Sequence, residues 1–294
     1  MSYASPVAFR TALEARLNAA ARSGGPPVGR ARKVVAFTRL LARLRRAAPD
    51  GWVLKGGFAL ELRLAGRSRT TRDVDLDFAA GLEAATEALV AAAATDLDDF
   101  FEFAVERVGA ADVGAPGGGV RFRAEARVAG RAFETLAIDV GVGPTGPPSG
   151  DELQVPDLLG FAGISSPRVP AAPLERHLAE KLHALTRRYG VDQPSSRPKD
   201  LIDILLISEL AVFDADSLRA AVAGVFVERA THAVPTTLSA IPAGWARPYA
   251  VMASEVDLDA DPAQGRAEAQ AFLAPLWSAE DQAQHWDPLS RSWR

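Results

Sequence analysis

The sequence predicts an α+β protein, a mixed sheet with helical cover followed by a mostly helical C-terminal domain. Three observations carry this. Between residues 31 and 94 the apolar period changes from helical to strand-like and back. Three further alternating segments follow between 100 and 142. Beyond a Pro/Gly-rich stretch at 143–173 the pattern is helical. That stretch is the expected boundary, giving a first domain over 1–150 and a helical second over 151–294 that lends residues to the first domain's cleft.

Taken in order, residues 6–21 read as a helix with Phe9, Leu13 and Leu17 four apart, ended by Gly24-Gly25-Pro26-Pro27. A second helix over 31–48 sets Val34, Phe37, Leu41 and Leu44 beside Arg39, Arg43 and Arg45. Trp52-Val53-Leu54 is a short strand, Gly56-Gly57 a tight connection and 58–65 a helix. Val74, Leu76 and Phe78 then alternate with Asp73, Asp75 and Asp77 as a half-buried strand. An alanine-rich helix over 81–94 precedes strands at 100–108, 120–129 and 133–142, with a Gly-rich connection at 109–119. Helices follow at 174–189, 199–213, 215–232 and 263–274; the second of these opens at Pro198, a residue suited to a first turn. Trp277, Trp286 and Trp293 near the end either pack back on the body or cover a partner surface.

The 294 residues are 48% hydrophobic and 24% charged, the balance of a soluble globular protein. The absence of cysteine excludes a disulfide framework, a thiolate nucleophile and a cysteine zinc site, and fits a cytoplasmic protein. No targeting signal is visible at the start. The most apolar stretch, Ala79 to Leu97, carries Glu83, Glu87 and Asp96, so no membrane association is expected. A net charge of -4 argues against a general nucleic-acid coat. Yet residues 1–72 hold 15 Lys/Arg against 3 Asp/Glu. That lobe could steer an anionic substrate, or be a pair of solvated basic helices.

The sharpest signal is Lys55-Gly56-Gly57 followed, after fifteen residues, by Asp73-Val74-Asp75-Leu76-Asp77. Side chains two apart on a strand share a face, with alpha carbons about 7 Å apart. Asp73 and Asp75 can therefore point at one spot, where two carboxylates repel unless a cation or proton lies between them. A magnesium ion suits that place, manganese being the alternative. With two ions, one can activate the attacking oxygen and the other steady the leaving pyrophosphate. A wet acidic strand face is the plainer reading, although Asp is depleted in strands. The glycines allow close backbone approach, and the amides entering the next helix could hold phosphate oxygens. Neither a Walker loop nor a dinucleotide fingerprint is present. Asp139 is the single charge in the apolar run 133–142. It either lines the same cleft, holding a second ion or accepting the acceptor's proton, or is exposed on its strand.

In the helical half, Lys181 borders the buried stripe of Leu174, Leu178, Leu182 and Leu185. It either snorkels or reaches phosphate. Asp200 and Asp203 are three apart and share a side with Ile204 and Ile207, where pairing with Lys181, Arg188 or Arg197 would tie two helices together. The four histidines, His177, His183, His232 and His285, make no zinc spacing, and nothing points to a serine–histidine hydrolase.

Three blocks together resemble the AbiEii/AbiGii toxin family of the DNA polymerase beta-like nucleotidyltransferase superfamily. They are Leu54-Lys55-Gly56-Gly57-Phe58-Ala59-Leu60, Arg69-Thr70-Thr71-Arg72-Asp73-Val74-Asp75-Leu76, and Ala179-Glu180-Lys181-Leu182-His183-Ala184 with Arg197-Pro198-Lys199-Asp200-Leu201-Ile202-Asp203. The similarity spans about residues 30–215. It implies a nucleotidyltransferase-type sheet, with Asp73, Asp75, Asp139 and Lys181 as catalytic residues and the three aspartates as magnesium ligands. Lys55, Gly56, Gly57, Arg69, Thr71, Asp200 and Asp203 would bind the nucleoside triphosphate. It further implies a growth-arresting toxin that transfers a nucleoside monophosphate onto RNA, with transfer RNA the first candidate, and an antitoxin encoded beside it. The alternatives are nucleotidylation of a small molecule such as an aminoglycoside, and a non-enzymatic binding protein of the same fold. Phe58 departs from the family, in which a small hydroxyl residue commonly follows the glycines.

Overall fold

The computed structural model describes residues 3–64, 71, 73–111, 118–142, 150–188, 197–277 and 284–294. The chain divides into two compact units, Met1–Leu62 with Thr70–Ala172, and Arg63–Arg69 with Pro173–Arg294. No helix among the described residues is long and apolar enough to cross a membrane.

The first unit opens with α1 (Pro6–Arg22) and α2 (Val28–Ala47). Ser5 caps α1 by accepting from the Ala8 amide, and Pro6 supplies a preset φ in the first turn. There follow β1 (Trp52–Lys55), α3 (Gly56–Arg63), β2 (Asp73–Phe78), α4 (Gly81–Ala94), β3 (Phe101–Ala111), β4 (Gly119–Val128), β5 (Arg131–Val142), β6 (Asp151–Gln154) and β7 (Arg168–Ala171). The seven strands form one mixed sheet in the order β3-β4-β5-β2-β1-β7-β6. β2 runs parallel to β5 and β1 parallel to β7, while the other pairs are antiparallel.

Val74 and Leu76 of β2 pair in register with Ile138 and Val140 of β5, and all four are buried in the core with Leu40 and Leu44 of α2 and Leu89 of α4. The strand period of two therefore sends Asp73, Asp75, Asp77 and Asp139 to the opposite face. That alternation positions the site.

The boundary expected at 150 differs from this division. Residues 151–172 add β6, a turn of 3-10 helix at Gly160–Ala162 and β7 to the first unit's sheet. Each strand is four residues long within Pro/Gly-rich sequence, too short for periodicity to stand out. Of the connection at 109–119, residues 112–117 lie outside the described residues.

The arginine-rich start is largely consumed by internal contacts. Arg10 donates to the carbonyls of Val128, Arg131 and Ala132, Arg30 pairs with Glu61, and Arg32 with Glu14. Arg39 and Arg43 are buried on one carboxylate, Asp99, at 2.6 Å each. Burial works to raise the Asp99 pKa, but the hydrogen bond from Arg43 and both arginine charges outweigh it and hold it below the usual carboxylate value. Arg39 and Arg43 are therefore neither solvated nor turned to an anionic substrate, as the two sequence readings had it, but buried on a structural partner.

The second unit is mostly helical, with α5 (Leu174–Thr186), α6 (Pro198–Ser208), β8 (Phe213–Asp214), α7 (Ala215–Arg229), α8 (Ala246–Ser254), α9 (Pro262–Phe272), β9 (His285–Asp287) and β10 (Ser292–Trp293). The tryptophan-bearing end packs back on this unit. β8, β9 and β10 make a small antiparallel sheet, Trp286 donates to the Ser208 carbonyl at 2.7 Å, and Trp293 donates to the Phe272 carbonyl at 3.0 Å. Among the described residues α8 is a helix that periodicity did not reveal.

Candidate active site

The site in the first unit begins where β1 turns into α3. Gly56 holds a left-handed backbone, φ +65°, which a residue with a Cβ adopts only at a cost. A Cβ there would also stand 1.9 Å from Oδ2 of Asp75. The glycine thus allows the strand to end against a carboxylate. Gly57 is the second residue of α3, and Phe58 after it is fully buried with its ring 5.1 Å from that of Phe37. The phenyl group belongs to the core, so the departure at Phe58 places no ring on the carboxylate face.

Registers across four strands put four charges in one row. Lys55 of β1 lies opposite Asp75 of β2, Asp75 opposite Asp139 of β5, and Asp139 opposite Arg121 of β4. Opposed residues share a sheet face, so the row reads cation, carboxylate, carboxylate, cation. Asp73 and Asp77 flank Asp75 on the same face. The Lys55 ammonium lies 2.7 Å from Oδ1 of Asp77, and both side chains are buried. Arg121 donates through Nε and Nη2 to the two oxygens of Asp139, each at 2.6 Å. The Arg121 pKa is raised, first by the hydrogen bond and charge of Asp139 and then by the charges of Asp73 and Asp75. All three carboxylates therefore act on one guanidinium. Thr71 is buried, and its hydroxyl donates to the backbone carbonyl of Asp73 at 3.2 Å, which steadies the entry to β2. Arg69 lies outside the described residues.

In the second unit the structure brings Lys181, Asp200 and Asp203 together. The Lys181 ammonium lies 2.8 Å from Asp203 and 3.6 Å from Asp200, while Arg197 reaches Asp200 at 2.7 Å. Both aspartates are fully buried. The expected tie between α5 and α6 is present. One turn before Lys181, His177 is buried with no hydrogen-bond partner for either ring nitrogen among the described residues. Burial, and then the Lys181 charge, push its pKa down to about 3. His183 and His232, unrelated by spacing, lie with ring centroids 4.7 Å apart, tilted by 41°, and share the hydroxyl of Thr231.

Two residues of the first site were missed from sequence. Asp77 was visible only as the third of three alternating aspartates, and its role depends on the β1–β2 register. Arg121 lies across the β4–β5 hairpin; counting back from Ala129-Gly130 sets it opposite Ile138 on the core face, and only the bulge between Ala126 and Arg127 brings it opposite Asp139.

Among the described residues no group of three His, Cys, Asp or Glu side chains stands ready to hold a metal. The donor chemistry explains this. Asp73 and Asp75 share a face, but Asp139 is engaged by Arg121. A pair of carboxylates fits a hard divalent ion of the magnesium kind, which completes its shell with water and substrate phosphates.

Comparison with curated proteins finds no match. Among solved structures, the chain is similar to MenT4, a nucleotidyltransferase toxin from Mycobacterium tuberculosis H37Rv, with 22% identity over 85% of this chain and 94% of that one and a TM-score of 0.50. It also matches JHP933 from Helicobacter pylori, with 15% identity over 83% of this chain and 91% of that one and a TM-score of 0.44. At such identities the first likeness speaks for the fold. The profile described as "Nucleotidyl transferase AbiEii toxin, Type IV TA system" matches residues 39–287, which contain both carboxylate clusters. The chain belongs to the AbiEii nucleotidyltransferase toxin family.

Proposed function

We propose that this toxin transfers a nucleoside monophosphate from a nucleoside triphosphate to an RNA hydroxyl, with transfer RNA as the acceptor. Membership of the family implies a divalent-metal-dependent nucleotidyl transfer in a toxin–antitoxin setting. The observation that supports this site for the reaction is the row Arg121–Asp139–Asp75–Lys55 with Gly56 against Asp75.

In the proposed reaction the acceptor oxygen forms a bond to the α-phosphorus, the bond from that phosphorus to the bridging oxygen breaks, and pyrophosphate leaves. Asp73 and Asp75 would hold the magnesium or manganese ion, which when bound offsets phosphate charge and lowers the pKa of a coordinated oxygen. Lacking a Cβ, Gly56 lets Asp75 close on the β1–α3 turn, and the Gly57 amide entering α3 would donate to a triphosphate oxygen. Lys55, fixed by Asp77, contributes positive charge at the end of β1. Asp139 serves as a further ligand or takes the acceptor's proton. Thr71 positions Asp73. We assign Lys181, Asp200 and Asp203 to nucleotide binding on the family resemblance. An adjacent-gene antitoxin is the expected partner.

The test is transfer of label from each α-phosphate-labelled nucleoside triphosphate, with Mg²⁺ or Mn²⁺, into purified transfer RNA, total RNA, protein or an aminoglycoside. The D73A/D75A double variant is the control. Label in transfer RNA that is lost in the variant is the expected result. Label only in a small molecule such as an aminoglycoside would replace the RNA acceptor. No label in any acceptor, from folded protein that binds triphosphate, would sink the proposal.

A further inference from the structure

Asp139 carries a partner that the transfer reaction does not require. Both of its oxygens accept from Arg121, a geometry that uses the lone pairs a metal would want. The carboxylate side chain is only 9% exposed whereas Arg121 is 46% exposed. The arginine can therefore leave while the carboxylate stays. The charges of Asp73 and Asp75 bear on the same guanidinium. A fixed monovalent cation thus lies against the face where divalent ions must act.

We propose that Arg121 is a displaceable counter-ion of the active centre, holding Asp139 until metal-bound triphosphate arrives and then moving onto the phosphates. This rests on the nucleotidyl-transfer reading above. Before substrate binds, the guanidinium offsets repulsion among three carboxylates that share a face. It also lowers the affinity of the site for a bare ion. Carboxylate and phosphate both accept the same two-pronged donation from arginine, so the exchange replaces one bidentate partner with another. Lysine cannot make that exchange as well, because its ammonium has no fork.

Mn²⁺ titration of the full chain without nucleotide, with free ion read by electron paramagnetic resonance, tests the idea. Loss of a charged bidentate competitor should tighten Mn²⁺ binding by about tenfold in R121Q. R121K should fall between R121Q and the parent protein, and R121Q/D139N should lose the gain. R121Q should also bind an α,β-methylene triphosphate more weakly, since the phosphates lose their fork. Circular dichroism melts establish that each variant is folded. Equal Mn²⁺ affinity in the parent and R121Q, with binding abolished in both by D73N/D75N, overturns the role of Arg121 and leaves the metal centre standing. Mn²⁺ binding that ignores D73N/D75N in every background overturns the transfer reading as well.

Discussion

Gly56 and Asp75 are so close that a single added methyl group would stand 1.9 Å from the Asp75 carboxylate oxygen. The contact joins the end of β1 to the middle of the carboxylate strand, and it explains a glycine that conformation alone only half explains.

Two costs therefore meet in Gly56→Ala. Left-handed backbone costs a residue with a Cβ about 1–2 kcal/mol. The clash must also displace Asp75, β2 or the turn. A reacting-group shift on the ångström scale costs about 100-fold in rate. We expect a modest fall in melting temperature and a loss of label transfer of at least that size. Near-normal transfer by folded G56A would show that the position of Asp75 is not critical.

The buried Lys55–Asp77 pair makes a prediction of opposite balance. Breaking a buried ion pair by removing one partner costs about 3–5 kcal/mol, whereas replacing both with apolar groups is often neutral. D77A should therefore be strongly destabilised in denaturant unfolding, and K55M/D77L should recover much of that loss while binding triphosphate poorly. Recovered nucleotide affinity in the double variant would remove Lys55 from the binding site.

Asp99 tests a group with no assigned part in the chemistry. Arg39 and Arg43 both close on it, and its pKa is lowered in the fold. The sign follows from linkage: the stability it contributes is present above its unfolded pKa of about 3.9 and is lost as pH falls through the lower folded value. D99N should be less stable than the parent protein by about 3 kcal/mol at pH 7, and the gap should narrow below about pH 4. Chemical denaturation at the two pH values reads this directly. A gap independent of pH would mean that packing, not ionisation, is what Asp99 contributes.

These relationships also mark what the sequence could reveal. The face carrying Asp73 and Asp75 was legible because alternation with Val74 and Leu76 is local and strand polarity has a period of two. The pairing of Lys181 with Asp200 and Asp203 was legible as one option, since three- and four-residue spacings define helix faces. Arg121 was not, because its place depends on a long-range hairpin register that shifts by a bulge between Ala126 and Arg127. β6 and β7 were hidden for a different reason. They are too short to show a period, and Pro170 within β7 argues against a strand unless its partner is known. Likewise, only the fold shows that Phe58 turns to Phe37 in the core.

His177 gives the remaining prediction, on pH. Its ring is enclosed in the helical unit, its nitrogens have no hydrogen-bond partner among the described residues, and its pKa is pushed down to about 3. Burial is the main cause and the Lys181 charge the second. In the unfolded chain the same group titrates near 6.5. Between those values the unfolded state binds a proton that the folded state does not, so stability falls as pH drops below about 6.5 and continues to fall toward 3. From pH 7 to pH 5 the loss from this one residue is about 2 kcal/mol. H177L removes the titration and two unsatisfied buried polar atoms, so it should match or exceed the parent protein at pH 7. It should also lose less stability at pH 5 by about that 2 kcal/mol margin. Urea unfolding of both proteins at the two pH values decides the matter. Parallel losses would mean that the His177 imidazole meets solvent or a partner well before the chain unfolds.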